Sequence, residues 1–457
     1  MPRRDFTIWL ILSGFYFKEL TRSLLLPNLI VISHFFFGTS TFEAVEIGLL
    51  ITMQLGASAV ACLLFGILAD RKSRKMIAII SLIIWLIGII LIIFTLHYLQ
   101  LLIGELLVGF GFGGYTPVAQ AIIGDATPSE RKGRIYGWSS ILMLLGFFSG
   151  LMLASVFSPN WQLPFLIAGL PLCILIVLYS IQGTQYKLGM HDDKLKAILT
   201  SDNDLTYDYC LTRDAFKKIL QNKTNLLIFI EGIFSILGIS IITTYFFPYL
   251  EESAAHVTPL VISLITLLII TPVNIAGIIF WGWIGDRFEK KYSRIRVLLI
   301  ALSFTITTPL FIFAFWIQGT PASETSTLWA ALTNPGVMLF VLIFAIGYFI
   351  AVIYDPNQPP IINAINLPET RGSVFALNRF VELIGGALGP LVVGIFFESM
   401  GQNFSIAMTL GILFMIPGIF CWWMALKTYP IDHNTIESIL EKRARLINEQ
   451  KMKLTEK

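Results

Sequence analysis

Apolar residues run along this chain in blocks of about 20, the length an α-helix needs to cross the hydrocarbon core of a bilayer, and short polar clusters separate the blocks. Twelve blocks are expected: residues 6–32, 48–68, 76–96, 101–123, 135–157 and 163–181, then 225–247, 259–281, 297–317, 335–362, 373–397 and 405–426. The longest internal polar stretch divides six from six. The pattern predicts an all-α membrane protein built as two pseudo-symmetric six-helix bundles, residues 1–181 and 224–427. A cytoplasmic linker at 182–223 joins them, and a cytoplasmic tail follows at 428–457, with a charged helix over 436–452.

Composition agrees. Only 13% of the 457 residues are charged, against about 25% in soluble domains, too few to coat a water-soluble surface. Lys and Arg gather in cytoplasmic loops. With the N-terminus inside, 29 of the 32 basic residues fall on the cytoplasmic side and none in an outside loop. Both termini are therefore expected in the cytoplasm. The net charge of +3 reads as anchoring at that face, not as nucleic-acid binding. The first block is too long for a signal peptide and is interrupted by Lys18, Glu19 and Arg22. Short loops without targeting extensions point to a prokaryotic plasma membrane.

Residues Leu106 to Pro117, LLVGFGFGGYTP, contain Gly109-x-Gly111-x-x-Gly114. This is the dinucleotide-binding spacing, which has meaning only between a strand and a helix of a βαβ unit. Here it lies inside the fourth block, so close helix packing is the expected use. The same holds for Gly146 and Gly150 in the fifth block, and for Gly385, Gly386 and Gly389 in the eleventh.

The halves repeat one another. GILADRKSRK (Gly66–Lys75) follows the second block and GWIGDRFEKK (Gly282–Lys291) the eighth; each has Gly, then Asp-Arg four and five residues on. Pro-x-x-Arg precedes the fifth block at Pro128 and the eleventh at Pro368. Superposing these prolines aligns Tyr115-Thr116-Pro117 with Asp355-Pro356-Asn357, so paired proline breaks are expected in the fourth and tenth helices.

At these residues the chain resembles the major facilitator superfamily, whose signature is Gly-x-x-x-Asp-Arg-x-Gly-Arg-Lys. Gly66, Asp70, Arg71, Arg74 and Lys75 match, with Ser73 in place of the second glycine; Gly282, Asp286 and Arg287 form the degraded second copy. The resemblance implies a gate in which Asp70 faces the start of the eleventh helix and Asp286 that of the fifth. It also implies that the first, fourth, seventh and tenth helices line the substrate cavity. Within the superfamily the chain resembles the spinster-like lipid transporters at Gly109–Tyr115, Phe246–Leu250 and Glu382–Pro390. It departs from them where Lys18-Glu19 replaces Asp-Arg and Gly385-Gly386 replaces Gly-Asp.

Ionisable residues at membrane depth cost about 2.5–3.5 kcal/mol each on insertion scales, so they face a partner or a wet cavity. The candidates are Lys18, Glu19, Arg22, Glu105, Glu231, Asp355, Arg379 and Glu382, joined by Tyr115 through its alignment with Asp355. Glu19, Glu105 and Asp355 are the proton-carrier candidates; Arg22 and Arg379 suit an anionic substrate group. Each has a plainer use. Arg379 and Glu382 can neutralise one another, Glu231 can be interfacial, Asp355 can cap a helix, and Glu105 can pair with Lys18 or Arg22.

The reading is a monomeric secondary transporter working by alternating access, proton-coupled, with a small or amphipathic, lipid-like or drug-like substrate. A uniporter or exporter of sugars or organic acids is the alternative. Neither a membrane enzyme nor a transporter-like sensor finds support. The histidines and cysteines are dispersed, no catalytic residue or metal-ligand spacing emerges, and no cofactor is expected.

Overall fold

The computed structural model describes residues 3–38, 42–127, 129–184, 219–252, 255–289, 291–320 and 325–455; the linker at 185–218 lies outside them. Among the described residues, twelve helices are long and apolar enough to cross a membrane. They are α1 (Arg3–Ser23, continued by Leu29–Phe37), α2 (Ala44–Arg71), α3 (Arg74–Ile93), α4 (Tyr98–Ala126), α5 (Ser129–Val156) and α6 (Leu163–Gln182). The second set is α7 (Lys223–Glu252), α8 (Pro259–Glu289), α9 (Ile295–Ala314), α10 (Pro335–Ala351 with Tyr354–Ala364), α11 (Pro368–Ser399) and α12 (Phe404–Leu413 with Ile416–Thr455). The charged tail helix is continuous with α12 rather than separate from it.

Proline explains where the helices deviate. A proline inside a helix removes one hydrogen bond and its ring crowds the carbonyl four residues back. For Pro356 that carbonyl is Val352, and α10 unwinds at Val352–Ile353. Pro27 sits in the tight turn Leu26–Asn28 that interrupts α1. Pro272 follows the π-helical segment Thr266–Ile270 of α8, whose exit places the Thr271 N–H on Thr266 O. The paired break expected in α4 is absent: that helix runs unbroken through Pro117. One proline is tolerated where neighbouring helices re-satisfy the backbone, whereas α10 carries Pro356, Pro359 and Pro360 within five residues.

Glycines set the helix contacts. A Cβ on Gly109 would lie 2.0 Å from Gln54 O, and one on Gly113 would lie 2.4 Å from Ser58 Cα, so α4 and α2 touch along their backbones. Gly114 faces the Phe65 ring and Gly111 faces Trp85 of α3. Gly146 and Gly150 abut the carbonyls of Tyr16 and Leu20 on α1, and Gly385 and Gly389 those of Ile233 and Leu237 on α7. The dinucleotide-like spacing is thus a helix-packing surface, as small residues in membrane helices commonly are.

The bundles join at the end opposite the basic clusters, termed outer here. Thr52 Oγ1 donates to Ala387 O at 2.5 Å, and the Tyr245 hydroxyl lies 2.7 Å from Pro390 O and 3.1 Å from Ala44 O. Gly48 and Gly394 let α2 and α11 approach until a Cβ would reach the opposing backbone carbonyl within 2.6 and 2.4 Å. Ser155 of α5 meets Ser263 of α8 at 2.7 Å. At this seam the carboxylate oxygens of Glu43, Glu46 and Glu398 also converge within 4.8 Å of one another, where Glu398 accepts the Val45 N–H.

Candidate functional site

Polar residues inside the bilayer must find partners or a wet cavity, and three of the sequence candidates, Asp355, Arg379 and Glu382, line one cavity. This cavity, of about 390 Å³, lies in the C-terminal bundle and is lined by Asp355, Gln358, Arg379, Glu382, Tyr348 and Tyr354, among others. The polar run Tyr354-Asp355-Pro356-Asn357-Gln358 begins where α10 restarts after its break, so the unwound backbone positions these side chains. Asp355 is exposed into the cavity. Glu382 is buried and fully engaged: it accepts from Arg379 (3.1 Å), from the Tyr354 hydroxyl (3.0 Å) and from Asn378 Nδ2 (2.6 Å). Gln358 in turn donates to the Tyr354 hydroxyl. Arg379 keeps 56% of its side chain exposed despite its ion pair.

The opposing helix carries a second triad. Glu19 is buried between Lys18 Nζ at 3.2 Å and Arg22 Nη1 at 3.1 Å. Arg379 is close enough to act electrostatically on Lys18 and Glu19, which brings the two clusters near one another. Each follows the i,i+3 spacing that brings side chains together on one helix face. The mutual neutralisation expected of Arg379 and Glu382 is present, and an equivalent Glu19–Arg22 pair accompanies it.

Three candidates lie elsewhere. Glu105 meets neither Lys18 nor Arg22. It is buried between α4 and α2, where Gln54 Nε2 donates to it at 2.6 Å. Tyr115 packs against α1, its hydroxyl donating to Ile11 O at 2.7 Å in a space left by Gly14; this is a helix staple rather than a cavity group. Glu231 is fully buried rather than interfacial, beside Ser235 of its own helix and Trp422 of α12. It sits behind Tyr354, whose ring lies 6.4 Å from that of Trp422.

The signature loops are distinct from one another. In the first copy Arg74 Nη1 donates to Ala121 O at 3.2 Å, tying α3 to α4, and Ser73 caps α3 by accepting the Met76 N–H. The side chains of Asp70 and Arg71 lie outside the described residues; Lys75 is half-buried. In the second copy Asp286 lies 2.5 Å from Arg296 Nη2, and Arg287 stacks over Trp283 at 5.0 Å. Gly66 faces Pro117 and Gly282 faces Pro356, so the same α2–α4 and α8–α10 contact recurs in both halves.

Arg296 lies in the first turn of α9 with 5% of its side chain exposed. It holds Asp286, Glu289 at 2.9 Å and Asn357 at 3.0 Å. Tyr354 and Gln358 escaped the sequence reading, although their place beside Asp355 in a polar run within an apolar block was a usable signal. Gln54 gave none, because its partner Glu105 lies on another helix, whereas Asn378 stands four residues before Glu382, a spacing that puts both on one helix face.

The sequence profile described as Major Facilitator Superfamily matches residues 8–329 and again 228–453. The quinolone resistance protein NorA of Staphylococcus aureus is 24% identical over 371 residues, covering 77% of this chain and 81% of that one. Among solved structures, a bacterial homologue of the human lysosomal transporter Spinster, inward-facing and unoccupied, superposes with a TM-score of 0.74 at 18% identity, covering 94% of this chain and 98% of that one. A D-xylose–proton symporter superposes with a TM-score of 0.64 at 14% identity, covering 91% and 96%. These likenesses and the twelve spans make the chain an integral, multi-pass membrane protein.

Proposed function

This chain belongs to the major facilitator superfamily of membrane transporters, and we propose that it moves an amphipathic organic solute by alternating access, driven by protons. The carrying observation is a pair of adjoining pockets: an aromatic, apolar one shares Asn274 and Tyr348 with a polar one that presents Asp355 and Arg379. Asp355 is the proton-carrying candidate the geometry favours, because it faces the cavity while Glu382 and Glu19 are held in ion pairs. The resistance phenotype in NorA's name and the proton coupling in the xylose symporter's description support this reading by analogy.

Residues 1–181 and 224–427 act in it as the two rocking bundles, with both termini in the cytoplasm and a plasma-membrane location. The closed outer seam then corresponds to an inward-facing state. In the opposite state Asp286 leaves Arg296 for the start of α5, and Asp70 meets the start of α11, where a carboxylate gains about 0.3–1 kcal/mol from the helix dipole.

The test uses purified protein in liposomes loaded with a pH-sensitive dye and challenged with cationic drugs, lysolipids, sugars and organic acids. Substrate-dependent proton movement that disappears in Asp355→Asn supports the proposal. Solute flux without proton movement overturns the coupling and leaves a uniporter. A uniporter using Arg22 and Arg379 as carboxylate clamps is less favoured, since each guanidinium already engages a glutamate three residues away.

A further inference from the structure

Adjoining the polar cavity, with Asn274 and Tyr348 lining both, lies a pocket of about 180 Å³ between the bundles. Leu26, Phe148 and Leu151 contribute from the N-terminal bundle, and Phe246, Phe247 and Phe344 from the other. Ser155 and Ser263 bond beyond it, toward the outer face. Its three threonines look polar in the sequence, but their hydroxyl protons are spent on backbone. Thr243 donates to Ile239 O (2.9 Å), Thr266 to Ile262 O (2.8 Å) and Thr271 to Thr266 O (2.7 Å). The wall therefore offers a ligand mainly hydrocarbon and ring faces, with the Phe246 and Phe344 rings 4.7 Å apart at an interplanar angle of 31°. At the neck stand Asn274 and Tyr348, which line both spaces.

Size and chemistry together select an occupant. An apolar cavity of roughly 150 Å³ accepts benzene, and aromatic walls reward ring partners beyond the area they bury. We infer that this pocket is a ring-selective subsite: it takes one benzene- to naphthalene-sized ring of the solute, whose polar substituent bonds Asn274 at the neck. A dodecyl chain, with twice benzene's carbons, exceeds it. The inference deepens the transport reading by naming which amphiphiles fit, and it rests on that reading only for the solute's route.

The test is equilibrium binding of tritiated 2-naphthamide to the full chain in lipid nanodiscs without any ion gradient, with empty discs as the blank. Unlabelled 2-naphthamide is expected to displace the tracer at least tenfold better than decanamide, which carries the same amide on a saturated chain. Leu151→Phe fills the pocket and is expected to weaken 2-naphthamide at least tenfold. Phe148→Ala enlarges it and shifts preference toward anthracene-2-carboxamide, a result that stands even if the first variant misfolds. Equal competition by decanamide, or unchanged preference in a folded Phe148→Ala protein, overturns the subsite. Because no gradient is present, ring-selective binding without proton flux would keep the subsite and remove the coupling; proton-linked flux of solutes indifferent to these variants would do the reverse.

Discussion

The hydroxyl oxygens of Ser155 on α5 and Ser263 on α8 lie 2.7 Å apart and join the two bundles across their outer end. Two cysteines at these positions are close enough for a disulfide once their side chains rotate. Oxidising the Ser155→Cys, Ser263→Cys double variant is expected to fix the outer seam shut and stop transport. Reductant restores it, while either single variant transports through both treatments. Flux measured before and after oxidation decides the matter.

Tyr245 bridges the same seam from the other side, its buried hydroxyl shared between Pro390 O of its own bundle and Ala44 O of the other. Hydrogen bonds between membrane helices are worth about 0.6 kcal/mol on average and about 1.7 at most. Tyr245→Phe is expected to shift the balance between states about threefold toward an open outer end. Labelling of a reporter cysteine at position 52 by a membrane-impermeant thiol reagent reads that shift; an unchanged rate counts against the bridge.

Two glycines test the packing argument by contrast. A Cβ on Gly109 would stand 2.0 Å from Gln54 O, whereas one on Gly56 meets nothing within 4 Å. Gly109→Ala forces α2 and α4 apart at about 1–3 kcal/mol, the usual range for overpacking. Gly56→Ala is expected to be neutral or to add up to about 1 kcal/mol through helix propensity. Thermal unfolding of the purified variants should show one lowered and one unchanged or raised midpoint.

Arg296 offers a graded series. Arg296→Met strips Asn357 of a donor inside the fold and frees Glu289 and Asp286, and it is expected to cost about 1–3 kcal/mol. Asp286 is 78% exposed, so once freed it regains water, and Asp286→Asn alone costs less because Glu289 still neutralises the guanidinium. The double variant should lose less than the two effects added, since both remove one shared network. Unfolding midpoints measure all three.

How much of this was legible depended on range. Bilayer-length apolar blocks and the one-sided basic residues give the span count because each is a local property of about 20 residues. The i,i+3 pairs Glu19–Arg22 and Arg379–Glu382 are local too, and the sequence carried the second plainly. The plainer use open to Glu105, a pairing with Lys18 or Arg22, does not occur because its neighbour, Gln54, is set by the glycines that draw α4 onto α2. Tyr115 shares its aligned position with Asp355 yet faces α1, since α4 stays straight where α10 unwinds. The π segment before Pro272 and the turn at Pro27 depend on packing, which no single helix reports.

The opposed clusters of the cleft also bear on how the membrane voltage acts. Lys18, Arg22 and Arg379 are matched by Glu19, Glu382 and Asp355, so with all six ionised the empty cleft carries no net charge. A unit charge crossing the field is worth about 2.3 kcal/mol per 100 mV. A cleft with no net charge that turns from one side to the other without cargo does no such work. Voltage then leaves the empty return step untouched and bears only on a step that carries a charge, which in the proposed cycle is the one made with a proton or a charged solute aboard.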